Sequence, residues 1–96
     1  MTQILVGDIK IDYEIQGSGA PLLMIMGLSF SRRDWGEKFI ELLARNYQLI
    51  LFDNRDAGLT SKSTRPYSIA DMADDVAGLL NGLNIPKAHV FGVSMG

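Results

Sequence analysis

The stretch His89-Val90-Phe91-Gly92-Val93-Ser94-Met95-Gly96 decides the fold, because a short apolar run leads directly into a G-x-S-x-G pattern. This spacing is typical of a sharp strand-to-helix turn with a serine at its apex. The glycines on either side of Ser94 lack Cβ atoms, so strand and helix can approach closely. The pattern predicts a Ser94 hydroxyl lifted clear of the sheet edge, as a nucleophile requires. The alternative for the isolated motif is an ordinary glycine-rich turn.

Two further apolar runs precede this stretch, at residues 21–26 and 49–52, and 88–91 is nearly as apolar. Short solid runs separated by helical segments are typical of parallel strands buried on both faces. The first sixteen residues instead predict an antiparallel hairpin with Gly7-Asp8 as its turn. Its second strand alternates, which predicts a polar, solvated face formed by Lys10, Asp12, Glu14 and Gln16.

Two helices are predicted between these strands. The first spans about residues 33–45, starts at a capping box of Ser31 and Asp34, and has an apolar stripe. The second starts at Ser68, with Asp71 three residues later, and stops at Asn84 and Pro86. The first stripe consists of Trp35, Phe39, Leu42 and Leu43, and the second of Ile69, Met72, Ala73, Val76, Leu79, Leu80 and Leu83. Alternating strands and helices predict an α/β fold with a mainly parallel sheet, and residues 1–96 read as one unit.

Composition excludes several classes of protein. The chain is 47% hydrophobic and 21% charged, as globular proteins are, and its lack of cysteine excludes a disulfide scaffold. One histidine and scattered carboxylates argue against a metal site, and a net charge of −2 argues against nucleic acid. No glycine-rich phosphate-binding motif is present, which disfavours a nucleotide cofactor, and no cofactor is expected. The absence of a leader or a membrane-length apolar run predicts a cytoplasmic protein.

Two loops lie after the predicted inner strands, at the edge where open α/β sheets bind ligands. The loop after Met26 offers the backbone N–H of Leu28, which we predict as an oxyanion donor beside that of Met95. By loop statistics alone it would be a plain connection. In the loop after Phe52, Asp53 and Arg55 are predicted to pair. Asp53 and Asp56 are also a less favoured candidate for acid–base work or a cation site.

Taken together, these motifs resemble the amino-terminal half of the α/β-hydrolase superfamily. The likeness rests on Gly17-Ser18-Gly19-Ala20-Pro21, on Met26-Gly27 followed by Trp35, on Asp53-Asn54-Arg55-Asp56-Ala57-Gly58-Leu59-Thr60-Ser61, and on Asp71-Met72-Ala73-Asp74-Asp75-Val76 followed by the Ser94 turn. It covers essentially the whole chain.

The resemblance implies a serine hydrolase with Ser94 as nucleophile, Gly92 and Gly96 as elbow glycines, and the N–H groups of Leu28 and Met95 as the oxyanion hole. It implies a small ester, lactone or thioester as substrate and disfavours the branches that use an aspartate nucleophile. The chain departs from the family pattern at two positions. Met26 stands where histidine is usual and removes a polar group that helps to hold the oxyanion loop. Asp56 stands where glycine is usual and offers an extra hydrogen bond.

The family places the acid and the histidine of the triad after the nucleophile, whereas this sequence stops at Gly96. His89 is five residues before Ser94, about 16 Å away along a strand, so a structural role is expected for it. We therefore expect a second chain or a missing carboxyl-terminal half to complete the triad and to pair with the open side of the 88–93 strand. The alternative is a non-catalytic fragment or pseudoenzyme that acts as a binding or pairing module.

Overall fold

The structure is a computed structural model that describes residues 2–27, 30–63, 66–94 and 96. Five strands form one mixed sheet in the order β1-β2-β4-β3-β5. The strands are β1 (Thr2–Val6), β2 (Ile9–Gln16), β3 (Ala20–Ile25), β4 (Tyr47–Phe52) and β5 (His89–Gly92). The helical elements are a 3₁₀ turn (Arg32–Trp35), α1 (Glu37–Ala44) and α2 (Ile69–Gly82). The predicted α/β class is confirmed.

The pairing directions bring three strand ends to one edge. β2 runs antiparallel to both β1 and β4, whereas β3 lies between β4 and β5 and is parallel to both. Because parallel strands end at the same edge, the loops after β3, β4 and β5 all start there. The sheet therefore gathers Gly27, Asp53 and Ser94 at its carboxyl edge.

The hairpin forms as predicted, with Gly7 at φ 56° in the turn and Val6 opposite Ile9. The predicted solvated face of β2 is wrong at Asp12, which is fully buried. Arg32 covers this part of the sheet, and its Nε lies 2.8 Å from Asp12 Oδ2 while its Nη1 pairs with Glu14. A long cation from a later segment thus buries one carboxylate of this polar face, while Lys10 stays exposed and Glu14 and Gln16 stay partly exposed.

The single helix predicted over residues 33–45 is divided into the 3₁₀ turn and α1. Gly36 separates them with φ 90° and ψ 132°, a conformation that glycine adopts without a Cβ penalty. The Ser31–Asp34 capping box is present, but it caps the 3₁₀ turn. The break also changes which side chains face the sheet, because Ile40 is buried while Phe39 and Leu42 are exposed.

Helix α2 forms close to its predicted bounds. The Asp71 N–H donates to Ser68 Oγ at 3.2 Å, the predicted capping box, and Asn84 takes φ 58° just beyond the helix. Met72 and Leu79 are buried, but Ile69, at the amino end of the predicted stripe, is exposed. Asp75 is buried as well, although its side chain is a carboxylate.

Alternate residues of the inner strands point to opposite faces, each covered by one helix. The cluster on the α2 side consists of Ile9, Ile11, Leu23, Ile50, Phe52 and Leu79. The cluster on the α1 side consists of Leu22, Met24, Ile40, Leu49 and Leu51. The prediction that β3 and β4 are buried on both faces is confirmed.

The same prediction is wrong for β5 in the described part of the chain, because all four of its residues are exposed and Val90 is 61% exposed. β5 is the last strand in the sheet order, so its second edge has no neighbouring strand among the described residues.

Within the described residues no helix combines the length and apolarity needed to cross a bilayer. The cytoplasmic location stays a prediction from the sequence.

We predict that Leu79→Ala lowers the free energy of unfolding by about 2–5 kcal/mol, because Leu79 is fully buried where α2 meets the sheet. Leu42→Ala makes the same truncation at an exposed position and should change it by less than about 0.5 kcal/mol. Denaturant titration of both variants measures the difference. Equal losses would contradict the assignment of the α2 face.

Candidate active site

The Ser94 turn lies directly after β5. The Val93 N–H donates to the Ile25 carbonyl oxygen at 3.1 Å, which continues the β3–β5 pairing beyond Gly92, and the Gly96 N–H donates to the Val93 oxygen at 2.9 Å. Between these two bonds Ser94 has φ 59°, a left-handed conformation that costs a non-glycine residue roughly 1–2 kcal/mol. Ser94 is exposed at the carboxyl edge of the sheet.

The two elbow glycines allow the turn to lie against the sheet. A Cβ built on Gly96 would overlap the Ile25 carbonyl oxygen and would lie 2.8 Å from its carbon. A Cβ on Gly92 would overlap the Gly96 carbonyl group. These neighbours are backbone atoms, so a side chain at either position would force the chain itself to move.

The backbone after β3 passes close to Ser94. A Cβ built on Gly27 would lie 3.0 Å from Ser94 Cβ and 3.4 Å from Ser94 Oγ. The preceding carbonyl, that of Met26, accepts a hydrogen bond at 3.0 Å from Asn54 Nδ2, which extends from the loop after β4. The loop after β4 thus holds the loop after β3, whose Gly27 backbone lies beside the hydroxyl. The two predicted oxyanion donors, Leu28 and Met95, lie outside the described residues and stay predictions.

Asp53 joins the loop after β4 to the 3₁₀ turn. It is buried, and its Oδ1 accepts from the Arg32 N–H at 2.6 Å while its Oδ2 accepts from the Leu59 N–H at 2.9 Å. Both oxygens thus organise the backbone. Within the described residues, no group of three histidine, cysteine or acidic side chains has an arrangement that could hold a metal ion.

The predicted pairing of Asp53 with Arg55 is wrong. Arg55 is buried and points toward α2, where its Nε and Nη2 donate to Asp75 at 3.0 and 2.9 Å, and it also reaches Asp8 in the hairpin turn. These hydrogen bonds, above all the one to Asp75, raise the pKa of Arg55. Two carboxylates on other elements outcompete Asp53, whose oxygens accept from backbone N–H groups.

Asp56 has φ 67°, where the family usually has glycine, and forms local hydrogen bonds in return. Its Oδ1 accepts from the Ser63 N–H at 2.6 Å. This bond, together with one from the Tyr67 hydroxyl, lowers the pKa of Asp56, and the carboxylate raises the pKa of Tyr67. Arg55 also lies 5.4 Å from the centre of the Tyr67 ring. Asp56 therefore fixes the loop after β4.

His89 lies at the start of β5, at the opposite end of the strand from Ser94, and is exposed. Its ring packs edge-on against Tyr47, with 6.3 Å between the ring centres. The structure therefore does not bring the histidine of the described chain to the serine.

An apolar cavity of about 140 Å³ lies between α2 and the carboxyl end of β3. Asn54 and Gly96 contribute the wall nearest the site, and the remaining lining residues are Ile25, Ile69, Met72, Ala73 and Val76. Sequence reasoning missed Asn54, Arg32 and Asp12 as organisers of this edge. No local pattern marked them, because each acts on a residue at least twenty positions away.

Comparisons with known proteins agree with this fold. The family model described as the alpha/beta hydrolase fold matches residues 20–96. The "Putative carbamate hydrolase RutD" of Azorhizobium caulinodans is 37% identical over 90 residues, covering 94% of this chain and 34% of that protein. The rhodomycin D methylesterase DnrP of Streptomyces peucetius is 37% identical over 81 residues, covering 80% and 27%.

Among solved structures, a hydrolase from Pseudomonas aeruginosa PA01 superposes with a TM-score of 0.93 at 24% identity, covering 99% of this chain and 37% of that one. The chain belongs to the α/β-hydrolase fold family. It spans about a third of the length of the relatives it matches. The resemblance inferred from the motifs is confirmed.

We predict that Asp56 contributes stability that is lost in acid. Because its pKa is lowered in the folded protein, the contribution is present above the unfolded value and disappears as the pH falls through the folded value. The stability difference between the wild type and Asp56→Asn should be constant near neutrality and should shrink below about pH 4. Denaturant titrations across this range measure it, and Asp74→Asn controls for the loss of one exposed charge. A difference that does not change with pH would contradict the role of the carboxylate.

Proposed function

We propose that this chain carries the nucleophile of a serine hydrolase that acts on a small ester, lactone or thioester through a covalent acyl-enzyme. The observation that supports this most directly is the backbone of Ser94, left-handed and exposed at the sheet edge with Gly27 against its hydroxyl. Such a turn costs energy, and strained conformations of this kind cluster at active sites. The methylesterase and carbamate hydrolase names among the relatives fit acyl transfer.

In the proposed reaction, Ser94 Oγ attacks the substrate carbonyl carbon while a base removes the hydroxyl proton. The N–H groups of Leu28 and Met95 stabilise the negative charge that forms on the carbonyl oxygen. Collapse of the intermediate breaks the bond to the leaving alcohol or thiol, which takes up the proton. Water then attacks the acyl-enzyme by the same route, releases the carboxylic acid and restores Ser94. No step needs a metal or an organic cofactor.

We further propose that the base and its acid partner come from polypeptide outside these 96 residues. His89 is at the wrong end of β5 and packs on Tyr47. The carboxylates of the loop after β4 are engaged, Asp53 by the N–H groups of Arg32 and Leu59 and Asp56 by that of Ser63. The outer edge of β5 offers a place for a further strand, because β5 is the last strand in the sheet order and its outer backbone groups have no strand partner among the described residues.

The alternative function is a binding or pairing module without catalysis. It is favoured by an aromatic cluster at β5, in which the exposed rings of Phe39 and Phe91 contact each other and the half-buried ring of Trp35, with centres 5.7–6.2 Å apart. Exposed aromatic clusters beside an open strand edge are typical of interaction surfaces. The reactivity of Ser94 separates the two proposals.

We predict that a fluorophosphonate probe labels Ser94 when the complete protein is assembled, and that Ser94→Ala removes the label. Ser18→Ala is the matched control, because Ser18 lies before β3 at the opposite edge of the sheet, and it should leave labelling unchanged. Peptide mass spectrometry locates the adduct. A label that persists in Ser94→Ala would contradict Ser94 as the nucleophile, and a complete protein that never reacts would favour the binding module.

We also predict that residues 1–96 alone hydrolyse p-nitrophenyl acetate at least about 10³-fold more slowly than the assembled protein, because a serine without its base is a weak nucleophile. Activity should return when the remaining polypeptide is added, and the recovered rate measures the fraction of protein that has assembled. A cooperative, soluble monomer of residues 1–96 with full esterase activity would overturn the proposed division of the triad.

A further inference from the structure

Asn54 is a buried polar side chain whose position does not follow from any sequence motif. It is only 8% exposed, and its Nδ2 donates to the Met26 carbonyl oxygen at 3.0 Å across two loops. The backbone carbonyl oxygen of Asn54 accepts from the Ala57 N–H at 2.9 Å, so the turn after β4 holds the residue in place. Burying an amide group without a hydrogen-bond partner is costly. A buried amide therefore usually forms a hydrogen bond that an apolar side chain could not replace.

The bond acts on a peptide group beside the serine. The Met26 carbonyl and the Gly27 N–H belong to one planar trans peptide and point in opposite directions. Holding the carbonyl therefore fixes the plane of that peptide and the direction in which the backbone leaves Gly27. Gly27 is the residue whose Cβ would lie 3.4 Å from Ser94 Oγ, so this plane forms one wall of the site.

Asn54 also borders the other side of the turn. It lines the 140 Å³ cavity together with Ile25 and Gly96, the two residues whose backbones meet at the elbow. The amide therefore lies between the two segments that have to keep a fixed spacing, the loop after β3 and the turn that contains Ser94. A shift of about 1 Å between catalytic segments costs on the order of 10²-fold in rate.

Position 26 explains why such a tether is needed. Met26 is buried, and its thioether is at most a weak acceptor, so its side chain has no donor to hold the loop. We infer that Asn54 is a positioning residue that takes over this task from the neighbouring loop and sets the wall facing Ser94. The inference rests on the proposed function and adds to it a residue that does not contact substrate.

The test compares Asn54→Leu with Thr60→Val in the assembled protein. Both replace a buried polar side chain of the same loop by an apolar one of similar size. Thr60 bonds to the Asp12 N–H and the Asp53 oxygen, at 2.9 and 2.7 Å, and does not touch Met26. Asn54→Asp keeps the shape but cannot donate when ionised, and it serves if the leucine variant fails to fold.

We expect Asn54→Leu to lower kcat for p-nitrophenyl acetate by about 10- to 100-fold with KM changed by less than about threefold. The affinity for phenylboronic acid, which imitates the tetrahedral intermediate, should fall in proportion to kcat. Thr60→Val should lose comparable stability in denaturant titration but keep both kinetic constants. Asn54→Asp should show the same split as the leucine variant.

The outcomes distinguish a failure of the proposed function from a failure of the positioning role of Asn54. A wild-type protein whose Ser94 does not react with fluorophosphonate overturns the proposed function and this inference with it. A reactive wild type together with Asn54 variants that keep kcat, or that lose it only in parallel with Thr60→Val, overturns the inference alone and leaves the proposed function standing.

Discussion

The structure depends on the close approach of two backbones at Ile25. The carbonyl oxygen of this residue accepts the Val93 N–H at 3.1 Å, and Gly96 folds back onto the same carbonyl group with no room for a Cβ. Because β3 is held on both sides by parallel partners, Ile25 is a fixed point of the sheet. The turn that contains Ser94 is therefore placed against a rigid strand, and Gly27, two residues further along that strand's path, comes to lie beside the serine.

A second constraint fixes the loops on either side of this point. Asp53 ties the loop after β4 to the 3₁₀ turn, whereas Arg55 ties it to α2 and to the hairpin. Buried ion pairs lose most of their Coulomb energy to desolvation, so their net contribution to stability is small compared with the cost of breaking one partner. Their effect is to exclude other loop conformations. The carboxyl edge is thus built from polar contacts, while the faces of the sheet are built from apolar packing.

Much of this could be predicted from the sequence, because much of it is local. Hydrophobic runs predicted β3 and β4, alternation predicted β2, and the Ser68 capping box predicted the start of α2. The G-x-S-x-G spacing predicted a turn at Ser94. The position of that turn against the sheet also depends on the neighbouring strand β3. The expectations that failed depend on distant residues or on one backbone angle.

Arg32, which is twenty residues away in the sequence, covers Asp12. Arg55 pairs with Asp75 and not with Asp53 as expected. Gly36 interrupts the predicted first helix, because its φ of 90° is accessible to glycine but lies outside the helical range. The buried residue of α1 is consequently Ile40, which was not part of the predicted stripe. A pattern of residue types predicts how side chains are spaced along one element. It does not predict which of several carboxylates lies nearest to a given arginine, because that depends on how all the elements pack together.

The conformation of the Ser94 turn does not require a second strand on the outer edge of β5. The left-handed backbone of Ser94 costs roughly 1–2 kcal/mol, and the hydrogen bonds from Val93 and Gly96 together return a similar amount at about 1 kcal/mol each. Both bonds lie within the described chain, and neither involves the exposed edge of β5. If the base comes from another part of the protein, as proposed, the backbone of Ser94 is already in place before that part binds. The added part then supplies a proton acceptor without changing the conformation of the turn. Ordering the nucleophile in advance also lowers the entropic cost of assembling the site.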